Sequence, residues 1–84
     1  MHDFPAAQSI FLKCVDQEGL IILFKIKPTT KLGKLTTAFC RRFDVEEYRV
    51  NFFVCGERIA PDDTAEKLGL QDGDFIDVEH LCRL

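Results

Sequence analysis

The sequence predicts an α+β domain in which one helix lies across a β-sheet, with elements in the order β-β-α-β-short helix-β. Three observations carry this expectation. Two apolar runs, residues 10–15 and 20–27, flank a polar Asp16-Gln17-Glu18-Gly19 turn and form a hairpin. Leu32, Leu35, Phe39 and Phe43 then recur at helical spacing. Two later stretches of strand length, residues 50–55 and 75–79, are bounded by turn-forming residues. A helix that follows a hairpin buries its apolar stripe only by packing across the sheet.

Each element has a local reason. Residues 1–9 read as a flexible arm before the domain proper, 10–80, and residues 81–84 as a short stub after it. Ile10-Phe11-Leu12-Lys13-Cys14-Val15 is the first strand, and Gly19 supplies the permissive backbone of the turn. The second strand ends in the alternation Phe24-Lys25-Ile26-Lys27, and Pro28 stops it because proline cannot donate to a ladder. Thr29 or Thr30 is positioned to cap the helix, and Arg41 and Arg42 suit its C-terminal dipole. Gly33 inside that helix costs about 1 kcal/mol relative to alanine. Residues 50–55 form the third strand, turned back by Cys55-Gly56-Glu57-Arg58. Asp63, followed three residues later by Glu66, is a capping-box variant for one short helical turn that Gly69 closes. Asp72-Gly73 is a further turn, and Phe75-Ile76-Asp77-Val78-Glu79 alternates apolar and acidic residues as a half-buried strand does.

Composition narrows the function. With 46% apolar and 30% charged residues the 84-residue chain is globular and of single-domain size, and its eight Phe residues supply much of a small core. A net charge of −3 speaks against a nucleic-acid binder. No apolar run reaches the ~20 residues that span a bilayer, and the first residues lack the pattern of a signal peptide. An intracellular, nuclear or cytoplasmic, home is the expectation. Cys14, Cys40, Cys55 and Cys82 are widely spaced without a CxxC, and the first three fall within expected strands or the helix, where cysteine acts as a small hydrophobe. His80 and Cys82 stand two apart, but no oxyanion donor or orienting group accompanies them. Neither catalysis nor a metal site is expected, and no cofactor.

The stretches "FKIKPTTKLGKLTTAFCRRF", "FFVCGERIAPDDTAEKLGL" and "GDFIDVE" resemble SUMO, the small ubiquitin-like modifier, without an internal gap from about Ile10 to Glu79. The resemblance implies the ubiquitin-like β-grasp fold, a mixed sheet with one main helix on one face. It also bears on the end of the chain. The family ends in Gly-Gly a few residues beyond the last strand, and that carboxylate is joined to a lysine. The pair falls here around Leu84 and the next position, and no Gly-Gly occurs. The expectation is a SUMO-like module acting without covalent attachment, as adaptor domains of the family do. The alternative is a genuine modifier whose tail lies beyond this sequence.

The resemblance implies a binding groove between the second strand and the helix, made of Phe24, Lys25, Ile26, Lys27, Lys34, Leu35, Ala38, Phe39 and Arg42. Family members bind extended apolar motifs with acidic flanks there, by addition of a strand to the sheet edge. From the residues alone, the apolar members also suit a plain core and the lysines a solvated surface. Alternation marks a second surface. If Ile10, Leu12, Phe24, Ile26, Phe52 and Ile76 point inward, Phe11, Leu23, Phe53 and Phe75 point outward, with Ile21 and Cys55 nearby. Such a cluster is either an interface or ordinary scattered surface hydrophobes. The expected partners are proteins carrying SUMO-interaction motifs, the SUMO-conjugating enzyme, and a second copy of the chain through the outer sheet face. Neither nucleic acid nor membrane is an expected partner.

Overall fold

The structure, a computed structural model, describes residues 8–81. Its strands are β1 (Ile10–Val15), β2 (Ile21–Ile26), β3 (Val50–Val54), β4 (Glu57–Arg58) and β5 (Phe75–His80), and its helices α1 (Leu32–Phe43) and α2 (Ala65–Leu68). One turn of 3-10 helix at Glu47–Arg49 leads into β3. The strands form a single sheet in the order β2-β1-β5-β3-β4. β1 pairs antiparallel with β2 and parallel with β5, so the sheet is mixed and its centre is the β1–β5 pair. With α1 packed on one face, this is the β-grasp architecture that the element order implied. The first nine residues and the four-residue stub lie largely outside the described part.

Side-chain alternation builds the core. Leu12, Cys14, Ile26, Phe52, Ile76 and Val78 point from the sheet toward α1 and are buried, meeting Leu32, Leu35, Phe39 and Cys40 of the helix. Phe39 is the hub of an aromatic cluster, with ring centroids 4.8 Å from Phe43, 5.3 Å from Phe52 and 6.4 Å from Phe24. Burying a phenylalanine of this size contributes roughly 1.5–3 kcal/mol.

Three local expectations are corrected by tertiary contacts. Neither Thr29 nor Thr30 caps α1. Lys31 holds the cap position without a side-chain bond, and the first helical amides are satisfied by loop carbonyls instead. Leu32 donates to Asp63 O at 2.7 Å and Gly33 to Pro61 O at 3.0 Å. Second, Thr64 rather than Asp63 caps α2, its hydroxyl accepting from the Lys67 amide at 3.0 Å. Asp63 is occupied elsewhere, its carboxylate accepting the Ala60 N–H at 2.8 Å. Third, β3 stops at Val54, and Cys55 lies in the turn at φ +52, next to Gly56 at φ +85. A two-residue hairpin turn demands two left-handed residues, and Gly56 alone supplies one without cost. Cys55 is therefore an exposed turn residue rather than a buried strand residue.

Candidate functional site

β2 is one edge of the sheet, so alternate main-chain groups along it have no strand to bond. The parity follows from β1. Phe11 and Lys13 direct their amides toward the β5 side, to Asp72 Oδ1 at 2.7 Å and Asp74 O at 2.9 Å. Ile10, Leu12 and Cys14 therefore face β2, where they pair with Ile26, Phe24 and Ile22. That leaves the N–H and C=O groups of Ile21, Leu23 and Lys25 directed outward along the free edge.

Beside this edge, between β2 and α1, runs an open trough of about 490 Å³ lined by Ser9, Phe24, Lys25, Ile26, Lys27, Thr30, Lys34, Leu35 and Ala38. Ile26 and Leu35 are buried and form its floor, with half-buried Phe24 and exposed Ala38 as walls. Lys27 and Lys34 stand exposed on the rim, while Lys25 borders the trough from the edge strand with its ammonium over Phe11 on the outer face. The structure thus brings together seven of the nine groove residues expected from the sequence. Phe39 is not among them in the trough: at 2% exposure it lies beneath Phe24 as core. Arg42 is exposed but does not line the trough. Ser9 and Thr30 were missed. In sequence Thr30 is, with Thr29, a cap candidate, and nothing local marks Ser9, which reaches the trough only because β1 pairs with the β2 edge. A broader hollow of about 830 Å³ lies on the far side of α1, under Pro61 and Asp62. Its lining mixes Lys31, Lys34 and Arg41 with Glu47 and Asp62, and it has no open sheet edge beside it.

The outer sheet face is mixed. Phe11, Ile21, Leu23 and Phe75 are each about half exposed on the β2-β1-β5 side. Lys13 sits between Leu23 and Phe75 in register. Its ammonium lies 5.1 Å from the Phe75 ring centre, and that of Lys25 lies 6.0 Å from the Phe11 ring centre. Phe53, half-buried on β3, stands opposite Asp77, and Cys55 lies in the β3–β4 turn. Lys13 and Asp77 are thus interleaved among the six residues expected as a second surface.

Nothing here organises a nucleophile among the described residues. Burial pushes the Cys14 thiol up to about 12, and burial, then the Glu47 carboxylate, raises that of Cys40. The His80 ring packs 6.3 Å from Phe39, and Cys82 lies outside the described residues. No group of three His, Cys, Asp or Glu side chains is placed to hold a metal ion among the described residues. No helix described is long and apolar enough to cross a membrane.

The comparisons with known proteins agree with this fold. The family model described as "Ubiquitin-2 like Rad60 SUMO-like" matches residues 8–79. The chain belongs to this SUMO-like family. It is 38% identical over 86 residues to the ubiquitin-like protein pmt3/smt3 of Schizosaccharomyces pombe, across 93% of this chain and 74% of that protein. It is 38% identical over 68 residues to small ubiquitin-related modifier 2 of Arabidopsis thaliana, across 81% of this chain and 66% of that protein. The chain thus spans two thirds to three quarters of these relatives' lengths. The solved structure of Caldiarchaeum subterraneum ubiquitin superposes with a TM-score of 0.82 at 19% identity, covering 89% of this chain and 96% of that one. At that identity the likeness speaks for the ubiquitin fold alone. In SUMO-like terms, the trough lies along the strand and helix that the sequence resemblance singled out.

Proposed function

We propose that this SUMO-like domain is a non-catalytic interaction module that binds extended apolar peptides with acidic flanks along the β2 edge. One observation carries the reading: outward main-chain groups at Leu23 and Lys25 run beside a trough floored by Ile26 and Leu35 and rimmed by Lys27 and Lys34. A peptide strand added to this edge gains main-chain bonds and drops alternate side chains into the trough. The lysines suit acidic flanks and speed encounter. The partners are proteins carrying SUMO-interaction motifs, with the SUMO-conjugating enzyme as a further protein partner, in an intracellular adaptor or SUMO-pathway role. The test is calorimetric titration with such a peptide. Binding of micromolar strength that weakens with added salt and is lost on Phe24→Ala supports the reading, and unchanged binding by Phe24→Ala contradicts it.

A second reading is favoured by the name of the plant relative, a modifier. On that reading the product of the full coding sequence becomes covalently attached to lysines. Intact mass after incubation with SUMO-activating enzyme and ATP separates the two, because only the modifier gains an adduct.

A further inference from the structure

The two edges of the sheet are protected very differently. β4 is two residues long, Glu57–Arg58, and both are charged and exposed. Short, charged edge strands discourage pairing with other chains. β2 has the opposite character. From Leu20 to Phe24 it carries no charge, proline or glycine, and Leu20, Ile21 and Leu23 are 46%, 52% and 57% exposed. A peptide in the trough engages the α1-facing side of this strand. It does not account for Ile21 and Leu23, which project from the opposite face.

We infer that the β2 edge pairs with the β2 edge of a second copy of this chain, in an antiparallel, two-fold arrangement that competes with peptide in the trough. Three features favour a second copy as the occupant over a partner lying on the flat outer face. The two aromatic rings farther in on that face already carry lysine ammonium groups of their own chain, Lys13 over Phe75 and Lys25 over Phe11. Of the exposed large apolar side chains without such cover, Leu20, Ile21 and Leu23 belong to or adjoin the edge strand, and Leu81 lies apart at the end of β5. And the edge is self-complementary.

The register can be deduced. Outward main-chain groups belong to odd-numbered residues, and an antiparallel ladder must set outward group against outward group. Only registers that oppose odd to odd are allowed. A two-fold axis at Ile22 satisfies this, opposing Ile21 to Leu23 of the second copy, Ile22 to itself, and Leu20 to Phe24. Each of these pairs is apolar, and Lys25 falls opposite Gly19 of the turn. The two Lys25 residues then lie roughly 20 Å apart along the ladder, so the only charge on the strand is not set against its like. An axis at Lys25 would place two ammonium groups directly opposite. An isologous contact of this kind closes at two copies. One strand edge buries an area at or below the lower end of stable interfaces, under about 1,200 Å², so the dimer is weak and reversible.

Peptide and second copy both use the outward groups of Leu23, so each excludes the other. Self-pairing thereby sets a concentration-dependent limit on the free groove. The inference rests on the edge and not on which peptide the trough takes, and its test is separable. The full chain is examined by sedimentation equilibrium across micromolar to millimolar concentration, beside Leu23→Lys and Ile21→Lys. The dimer predicts reversible association for the parent chain and at least about tenfold weaker association for each variant, since every substitution appears twice at the two-fold contact. It also predicts that the parent becomes monomeric when any peptide shown by titration to bind the trough is saturating. A parent that stays monomeric at millimolar concentration overturns the inference. So does association that is unchanged in variants whose amide spectra match the parent fold. If no peptide binds, the proposed function fails while the sedimentation result still decides the dimer.

Discussion

The amide of Gly33 donates to the carbonyl of Pro61 at 3.0 Å, and a Cβ at Gly33 would stand 3.1 Å from that same oxygen. The glycine that looked like a flaw in α1 is the place where a loop backbone closes on the helix. Pro61 has little room to retreat, since Asp63 anchors the loop through its bonds to Leu32 and Ala60. Gly33→Ala is therefore expected to lower stability, or at best leave it unchanged, instead of delivering the ~1 kcal/mol that alanine gives in an open helix. Urea midpoints of the two proteins check this directly.

The same loop makes stability sensitive to acid. The Asp63 carboxyl is held below its usual range, first by the Ala60 N–H and then by the Lys67 ammonium at 3.1 Å. A folded-state value below the unfolded one contributes stability that is complete above the unfolded range and is lost as pH falls through the folded value. Asp63→Asn keeps an acceptor for Ala60 but discards the charge. The parent should exceed this variant in urea midpoint at neutral pH, and the gap should close in acid below the ordinary carboxylate range.

Thiol chemistry should sort the cysteines by position. Cys14 and Cys40 are buried with raised values, whereas Cys55 is exposed in its turn. Iodoacetamide at neutral pH, read by peptide mass mapping, should label Cys55 in the native chain and reach Cys14 and Cys40 only after denaturation. Labelling of Cys14 at the rate of Cys55 would contradict the strand register of β1.

Phe39 separates core from groove. Its ring meets Phe24, Phe43 and Phe52, so Phe39→Ala should destabilise the domain by roughly 3–5 kcal/mol. Exposed Lys34 on the trough rim should tolerate Lys34→Ala with little loss of stability, within about 0.5 kcal/mol. Thermal or urea unfolding of both variants measures the contrast.

The architecture was legible because period and turn chemistry agreed. Leu32, Leu35 and Phe39 marked one helical face, and Gly69 at φ +72 and Gly73 at φ +90 lie where turns were expected. What was not legible depends on contacts between residues distant in the chain. The capping of α1 by Asp63 and Pro61 carbonyls joins segments some thirty residues apart, and no local pattern announces it. Cys55 was read into β3 because apolar residues run on to it, while the left-handed turn it must form is fixed by the return strand. Phe24, Ile26 and Leu35, joined by resemblance, line one trough in the structure. Phe39 shares their helical face, but helical spacing alone does not tell a trough wall from the residue packed beneath it. The outer face was expected as one group because alternation gives direction only. Which polar residues intervene, Lys13 and Asp77, follows from the parallel β1–β5 pairing and the β3–β5 register.

The central claim, that the β2 edge and its trough receive an extended peptide, is tested most directly by following the backbone amides of the labelled chain during titration with an apolar, acid-flanked peptide. Saturable shifts are expected from Leu23 to Lys27 and from Lys34 to Ala38, largest at the outward amides of Leu23 and Lys25, and weaker in high salt. Shifts confined to β3, β4 and the Cys55 turn, with the β2 edge unmoved at saturation, would contradict it.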